Sequence, residues 1–211
     1  MLKGVLFDLD GVLTATDRLH TRAWRETCER WNIPFSADTA PLLRGVGRQD
    51  CVQLILARAG MELNQAERTA FAEEKNELYR TLLDELSESD VLPGVEETIA
   101  ALDARGILTA VASASRNAPL ILHRIGLEGR FTAVVDGTMI TRSKPDPEVF
   151  DLAAKALGLL PEECLVVEDA ASGVEAAKRS GAQAAAIGPD AKGAGAELEI
   201  ERITDILSLW K

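Results

Sequence analysis

Short apolar runs that stop at a polar or small residue recur along the chain: Val5-Leu6-Phe7, Leu108-Thr109-Ala110-Val111-Ala112, Val134-Val135 and Leu165-Val166-Val167. Each is too short for a helix and nearly apolar throughout, which is the pattern of a strand covered on both faces. They alternate with segments whose apolar residues fall three and four apart: Val95 to Arg105, Pro119 to Ile125, Pro147 to Leu157 and Gly173 to Ser180. Strand, helix, strand, helix in that order predicts an α/β fold built on a doubly wound, mainly parallel sheet. With 46% hydrophobic and 27% charged residues there is material for a sizeable core, and aromatics at 4% leave Ala, Leu and Val to fill it.

The stretch from about Thr16 to Ser89 carries no strand signal. It reads as helices over Leu19 to Trp31, Asp50 to Ala59 and Gln65 to Leu86, joined at the turn-prone Asn32-Ile33-Pro34 and Gly45-Val46-Gly47. The 211 residues therefore divide into a Rossmann-like α/β core, residues 1–15 and 90–211, and a small inserted helical cap, residues 16–89. The cap enters just after the first strand, so its two connections can serve as a hinge over the strand ends.

A formal net charge of −11 disfavours nucleic acid and anionic membrane as partners, and requires any anionic substrate to meet a local cationic pocket. Cys28, Cys51 and Cys164 are odd in number and widely spaced, which supports neither a disulfide framework nor a zinc site. The N-terminus runs straight into Lys3-Gly4-Val5-Leu6, and no long apolar stretch follows, so a cytoplasmic location is expected.

Four constellations at strand ends could carry chemistry. Asp8-Leu9-Asp10 places two carboxylates two residues apart, on one side of an extended chain. Like charges so close raise one another's pKa unless a cation intervenes, which suits Mg²⁺ with one acid as nucleophile and the other handling a proton; a solvated acidic turn is the alternative. Glu168-Asp169 ends another apolar strand, where the acids either favour a helix start or share a metal with Asp8. Ser113-Ala114-Ser115-Arg116-Asn117 offers hydroxyls, a cation and an amide for a phosphate, or helix capping by Ser115 or Asn117. Lys144, in Ser143-Lys144-Pro145-Asp146-Pro147, is either solvated surface or a fixed charge that offsets the acids and neutralises phosphoryl oxygens. The glycine-rich Gly188 to Gly195 lacks the Gly-Lys-Ser/Thr ending of a nucleotide loop and reads as a flexible connection; the acid-rich Glu85 to Asp90 reads as a solvated cap exit.

The order Asp-x-Asp, Ser, Lys-Pro, Glu-Asp along the whole chain resembles the four motifs of the haloacid dehalogenase superfamily. The resemblance implies an aspartyl-phosphate at Asp8, general acid/base work by Asp10, a transferring phosphoryl group held by Ser113 and Lys144, and Mg²⁺ at Asp8, Glu168, Asp169 and the backbone carbonyl of Asp10. Within the superfamily the small helical cap resembles that of a sugar-phosphate mutase, and Thr16, His20, Trp24, Gly45, Arg48, Lys75, Arg116 and Asn117 match its hinge and substrate contacts. Individually, Trp24 could equally pack between helices, and His20, Arg48 and Lys75 could be ordinary surface groups. Ala15, Gly47, Cys51 and Arg116 depart from the family's usual Asp, Ser, Ser and Lys.

The implied activity is interconversion of β-glucose 1-phosphate and glucose 6-phosphate, with glucose 1,6-bisphosphate as phosphoryl donor and a small phosphorylated sugar as partner of a monomeric chain. A sugar-phosphate phosphatase needs only water as acceptor in place of a sugar hydroxyl, and a non-catalytic sugar-phosphate-binding protein is the alternative of another kind.

Overall fold

The computed structural model describes residues 1–43 and 46–210. Among the described residues, six strands form one sheet: β1 (Gly4–Phe7), β2 (Leu108–Ala112), β3 (Ala133–Val135), β4 (Cys164–Glu168), β5 (Gln183–Ile187) and β6 (Leu198–Ile200). Their order is β3-β2-β1-β4-β5-β6, and every neighbouring pair is parallel. The chain thus winds outward from β1 in one direction, returns, and winds outward in the other. The switch falls between β1 and β4, where open α/β sheets bind ligands beyond the strands' carboxyl ends.

Alternate residues of the strands face opposite layers. Val5, Phe7, Val111, Leu165 and Val167 join one core cluster with Val95, Ile99 and Leu102 of α4 (Val95–Asp103) and Ile121 of α5 (Ala118–Arg124). Leu6, Ala110, Ala112 and Val166 join the other, with Val149, Phe150 and Ala153 of α6 (Glu148–Ala156) and Val174 and Ala177 of α7 (Ala171–Ser180). The predicted core helices are present, with ends shifted by a few residues.

Two strands escape the sequence pattern. β5 is Gln-Ala-Ala-Ala-Ile, and alanine is depleted in strands, so its composition hides it. Its pairing with β4 and burial of Ala184, Ala185 and Ala186 against both layers make it a strand. β6 spans three residues, too few to show a period. The glycine-rich stretch from Gly188 to Gly195 is the connection between β5 and β6.

Between β1 and α4 lie α1 (Asp17–Arg30), α2 (Arg48–Ala59) and α3 (Gln65–Leu82). They share an apolar cluster of their own, with Trp24 and Cys28 of α1, Val52 and Ile55 of α2 and Phe71 of α3. A capping box starts α3: Asn64 Oδ1 accepts from Glu67 N at 3.0 Å, and Asn64 N donates to Glu67 Oε2 at 2.8 Å, a device worth about 1 kcal/mol. The helix ends four residues before the expected Leu86 and tightens into a 3₁₀ turn at Leu83–Glu85. Leu19, Tyr79 and Leu82 join the larger core cluster, so the base of the helical insert is seated on the sheet layer. Among the described residues, no helix is long and apolar enough to cross a membrane.

Candidate active site

Asp8 directly follows β1 and prolongs it, donating its backbone N–H to Val167 O of β4 at 3.0 Å. The chain then turns at Gly11, whose φ of +83° is natural for glycine. A Cβ at Gly11 would stand 2.0 Å from Asp169 Oδ2, so the absence of a side chain lets the turn after β1 approach the acid that follows β4. Gly173 has the same role toward Glu168, whose Oε1 would lie 1.6 Å from a Cβ.

Lys144 is the hub of the centre. Its Nζ donates to Asp8 Oδ1 at 2.5 Å and to Glu168 Oε1 at 2.6 Å, with the lysine and glutamate side chains each 1% exposed. Glu168 is fully engaged, since its Oε2 accepts from the backbone N–H groups of Asp169 at 2.6 Å and Ala170 at 3.1 Å. The surface alternative for Lys144 is therefore excluded. Burial would depress its pKa, but the adjoining Asp8 and Glu168 carboxylates hold it above the usual lysine range.

One lysine does not balance this many acids. Burial, opposed by Lys144 and reinforced by Glu168, pushes Asp8 up to about 7. Burial and the charge of Asp8 push Asp10 up to about 8, and burial with Glu168 and Asp8 pushes Asp169 up to about 9. Asp8, Glu168 and Asp169 offer carboxylate oxygens within 4.8 Å of one another. An all-oxygen set of mutually repelling acids is the donor chemistry a hard divalent cation takes, and Mg²⁺ fits it. The Asp10 carboxylate is not part of this set; the Thr16 hydroxyl donates to its Oδ1.

The site opens into a cleft of about 650 Å³ between the strand ends and the helical insert. Asp8, Asp10, Lys144, Asp169 and the loop from Ser113 to Asn117 line its floor. His20 and Trp24 of α1, Arg48 of α2 and Lys75 of α3 line it from the helices, so residues from three helices face those of the core loops across one cleft. Thr16 and Glu168 are buried behind Asp10 and Lys144 and do not line the cleft. Gly45 lies outside the described residues.

Inside the helical insert, Lys75 Nζ is 2.9 Å from His20 Nδ1, and 4.8 and 4.5 Å from the ring centres of Trp24 and Tyr79. Burial brings Lys75 down to about 7, and burial with the Lys75 and Arg48 charges keeps His20 well below the usual imidazole range. His20 and Lys75 are thus not solvated surface groups. Trp24 has a double role, tilted against Phe71 at 5.6 Å while facing the cleft.

In the loop after β2, Ser113 Oγ accepts from Ser115 N at 3.0 Å and Ser115 Oγ from Asn117 N at 3.2 Å. Asn117 precedes α5 but makes no side-chain cap; its Nδ2 reaches across to Asn76 Oδ1 at 2.9 Å. Arg116 is exposed at the cleft margin. Of the other departures, Gly47 and Cys51 line the cleft, Cys51 with its thiol toward the Leu43 and Val46 carbonyls, and Ala15 is exposed beside Thr16.

Sequence reasoning missed Asn76 and Tyr79 on α3. Tyr79 stands four residues after Lys75, on the same helix face, and stacks on His20 at 3.9 Å. That spacing was a usable signal. Asn76 had none, because its partners are 28 and 41 residues away.

Fold and cleft together define a doubly wound α/β protein with an acidic, lysine-bridged centre at the sheet's switch point, roofed by a helical insert. The chain belongs to the haloacid dehalogenase-like hydrolase family, whose model matches residues 2–181. It is 37% identical over 207 residues to a β-phosphoglucomutase of Bacillus subtilis, covering 97% of this chain and 92% of that one. A fructose-1-phosphate phosphatase of Escherichia coli is 33% identical over 183 residues, covering 86% and 94%. The crystal structure of a β-phosphoglucomutase from Clostridium difficile superposes with a TM-score of 0.93 at 30% identity, covering 98% of this chain and 93% of that one.

Proposed function

We infer that the protein is a Mg²⁺-dependent β-phosphoglucomutase that interconverts β-glucose 1-phosphate and glucose 6-phosphate through an aspartyl-phosphate and glucose 1,6-bisphosphate. The observation that supports this reading is that one cleft carries cationic side chains at two separate places, each suited to a phosphate. Asp8 and Lys144 form the first, at the strand ends. Arg48, Arg116 and Asn117 form the second, contributed by insert and core together. A mutase must hold one phosphate while the other reacts. The β-phosphoglucomutases among the relatives, from Bacillus subtilis and Mycobacterium tuberculosis, support the same reading.

The residues divide the work as follows. Starting from Asp8 phosphate, the sugar's 6-hydroxyl attacks phosphorus while Asp10 takes its proton and the Asp8 carboxylate departs. After the bisphosphate reorients, Asp8 attacks the phosphate on carbon 1, and Asp10 returns its proton to the leaving sugar oxygen. Splitting transfer into two in-line steps lets one carboxylate serve as acceptor and donor. Lys144 holds Asp8 in place and balances phosphoryl charge, aided by Ser113, and Thr16 orients Asp10. Mg²⁺ at Asp8, Asp169 and the Asp10 backbone carbonyl, with Glu168 beside it, would neutralise the phosphoryl oxygens. Residues 16–89 act as the cap that excludes water between the two steps.

Hydrolysis of a small sugar phosphate is the second reading, favoured by the phosphatase relative. Phosphorus NMR of β-glucose 1-phosphate with protein, Mg²⁺ and a trace of glucose 1,6-bisphosphate separates the two: glucose 6-phosphate supports the mutase, inorganic phosphate the phosphatase. Asp8→Asn should abolish both products and the phosphorylated protein. Full turnover in that variant would remove Asp8 as nucleophile; no turnover in wild type would leave a binding protein.

A further inference from the structure

Asn76 has no part in the chemistry just described, yet its side-chain carbonyl joins the two sides of the cleft. Arg48, in the first turn of α2, donates from Nη2 to Asn76 Oδ1 at 2.7 Å. Asn117, from the core loop before α5, donates from Nδ2 to the same oxygen at 2.9 Å. Both donors line the cleft. A carboxamide oxygen has two acceptor positions and no charge, so here it is filled by one donor from each side. Arg48 retains four further N–H groups and Asn117 one on its amide, so the tie orients both residues without exhausting them. A carboxylate in the same place would hold them equally well but would cancel the guanidinium charge that an anion needs.

The geometry points to Asn76 as a positioning residue that ties the insert's Arg48 to the core's Asn117, so that both present their remaining donors to a single anion. That anion is the phosphate of the bisphosphate sugar that is not being transferred. The inference rests on the mutase reading, because a substrate with one phosphate has nothing to place there.

Two phosphoryl donors test it. Glucose 1,6-bisphosphate uses both phosphate places when it phosphorylates Asp8, whereas acetyl phosphate uses only the place at Asp8. Asn76→Leu removes the acceptor while keeping the number of heavy atoms and the branch point of the side chain. It should raise KM for glucose 1,6-bisphosphate roughly tenfold, about 1.4 kcal/mol, leave kcat within about twofold, and leave the rate with acetyl phosphate unchanged. Asn76→Asp should raise that KM further while also sparing acetyl phosphate, because it keeps the tie and cancels the charge. Asn76→Ala serves as second variant, with melting temperature as the check on folding.

If wild type isomerises and Asn76→Leu slows both donors equally, or leaves the bisphosphate KM unchanged, the role of Asn76 is wrong while the mutase reading stands. If wild type releases only inorganic phosphate, the mutase reading falls and the inference with it. Loss of the fold in both Asn76→Leu and Asn76→Ala would make Asn76 a structural tie and overturn the proposal.

Discussion

Lys144→Met tests the electrostatic core of the site. Lys144 lies 4.9 Å below the Phe150 ring and joins Asp8 and Glu168 with side-chain exposures of 1%, 9% and 1% for lysine, aspartate and glutamate. Methionine keeps most of the volume and the contact with the ring, so the change removes the charge and the two hydrogen bonds with little loss of packing. Removing one partner of a buried ion pair costs about 3–5 kcal/mol, because the other is left buried without compensation. For a chain of this size each kcal/mol lowers the melting temperature by about 2–4 °C, so a fall of about 6–20 °C is expected. Urea unfolding and thermal circular dichroism in EDTA at neutral pH measure it. A double-mutant cycle with Glu168→Gln adds a second criterion: Lys144→Met should cost less in that background, with a coupling of at least about 1 kcal/mol. A cost below about 1 kcal/mol, or an additive cycle, would refute the claim that Lys144 balances these acids.

Two other perturbations follow from the same geometry. The folded pKa of Lys75, about 7 against the usual 10.5, means that the unfolded chain binds a proton in that window which the folded chain does not. Stability from this group therefore rises with pH between about 7 and 10.5, and below that window the buried charge is a cost. Relative to wild type, Lys75→Met should be stabilising at neutral pH, with the gain shrinking as pH climbs; a pH-independent difference would contradict burial as the cause. Gly11→Ala puts a Cβ against Asp169 Oδ2 and strains a turn at φ +83°. Mg²⁺ affinity measured by titration calorimetry should fall about tenfold or more, and unchanged affinity would remove Asp169 from the metal-holding set.

The α/β class was legible because burial on both faces of a strand, or on one face of a helix, is written in the local spacing of apolar residues. Val5 to Phe7 and Leu165 to Val167 show it plainly, and the acids that follow them mark the strand ends. Where local pattern and environment disagree, the reading fails. β5 is alanine-rich, and it becomes a strand through its place beside β4. The order of the family motifs marks Asp8, Ser113, Lys144 and Asp169 as candidates; Asp8, Ser113 and Asp169 directly follow β1, β2 and β4, and Lys144 lies in the longer loop after β3.

What the amino-acid sequence determined by itself was therefore the helices, the four strands β1 to β4 and the chemistry carried near their ends. Only the tertiary structure decided who meets whom. The winding of the sheet puts β4 beside β1, which allows one lysine from a distant loop to grip both Asp8 and Glu168. The seating of the helical insert brings Asn76 between Arg48 and Asn117. Periodicity reports whether a residue's own face is buried; a contact between residues far apart along the chain depends on strand order and on how layers stack, which no local spacing encodes.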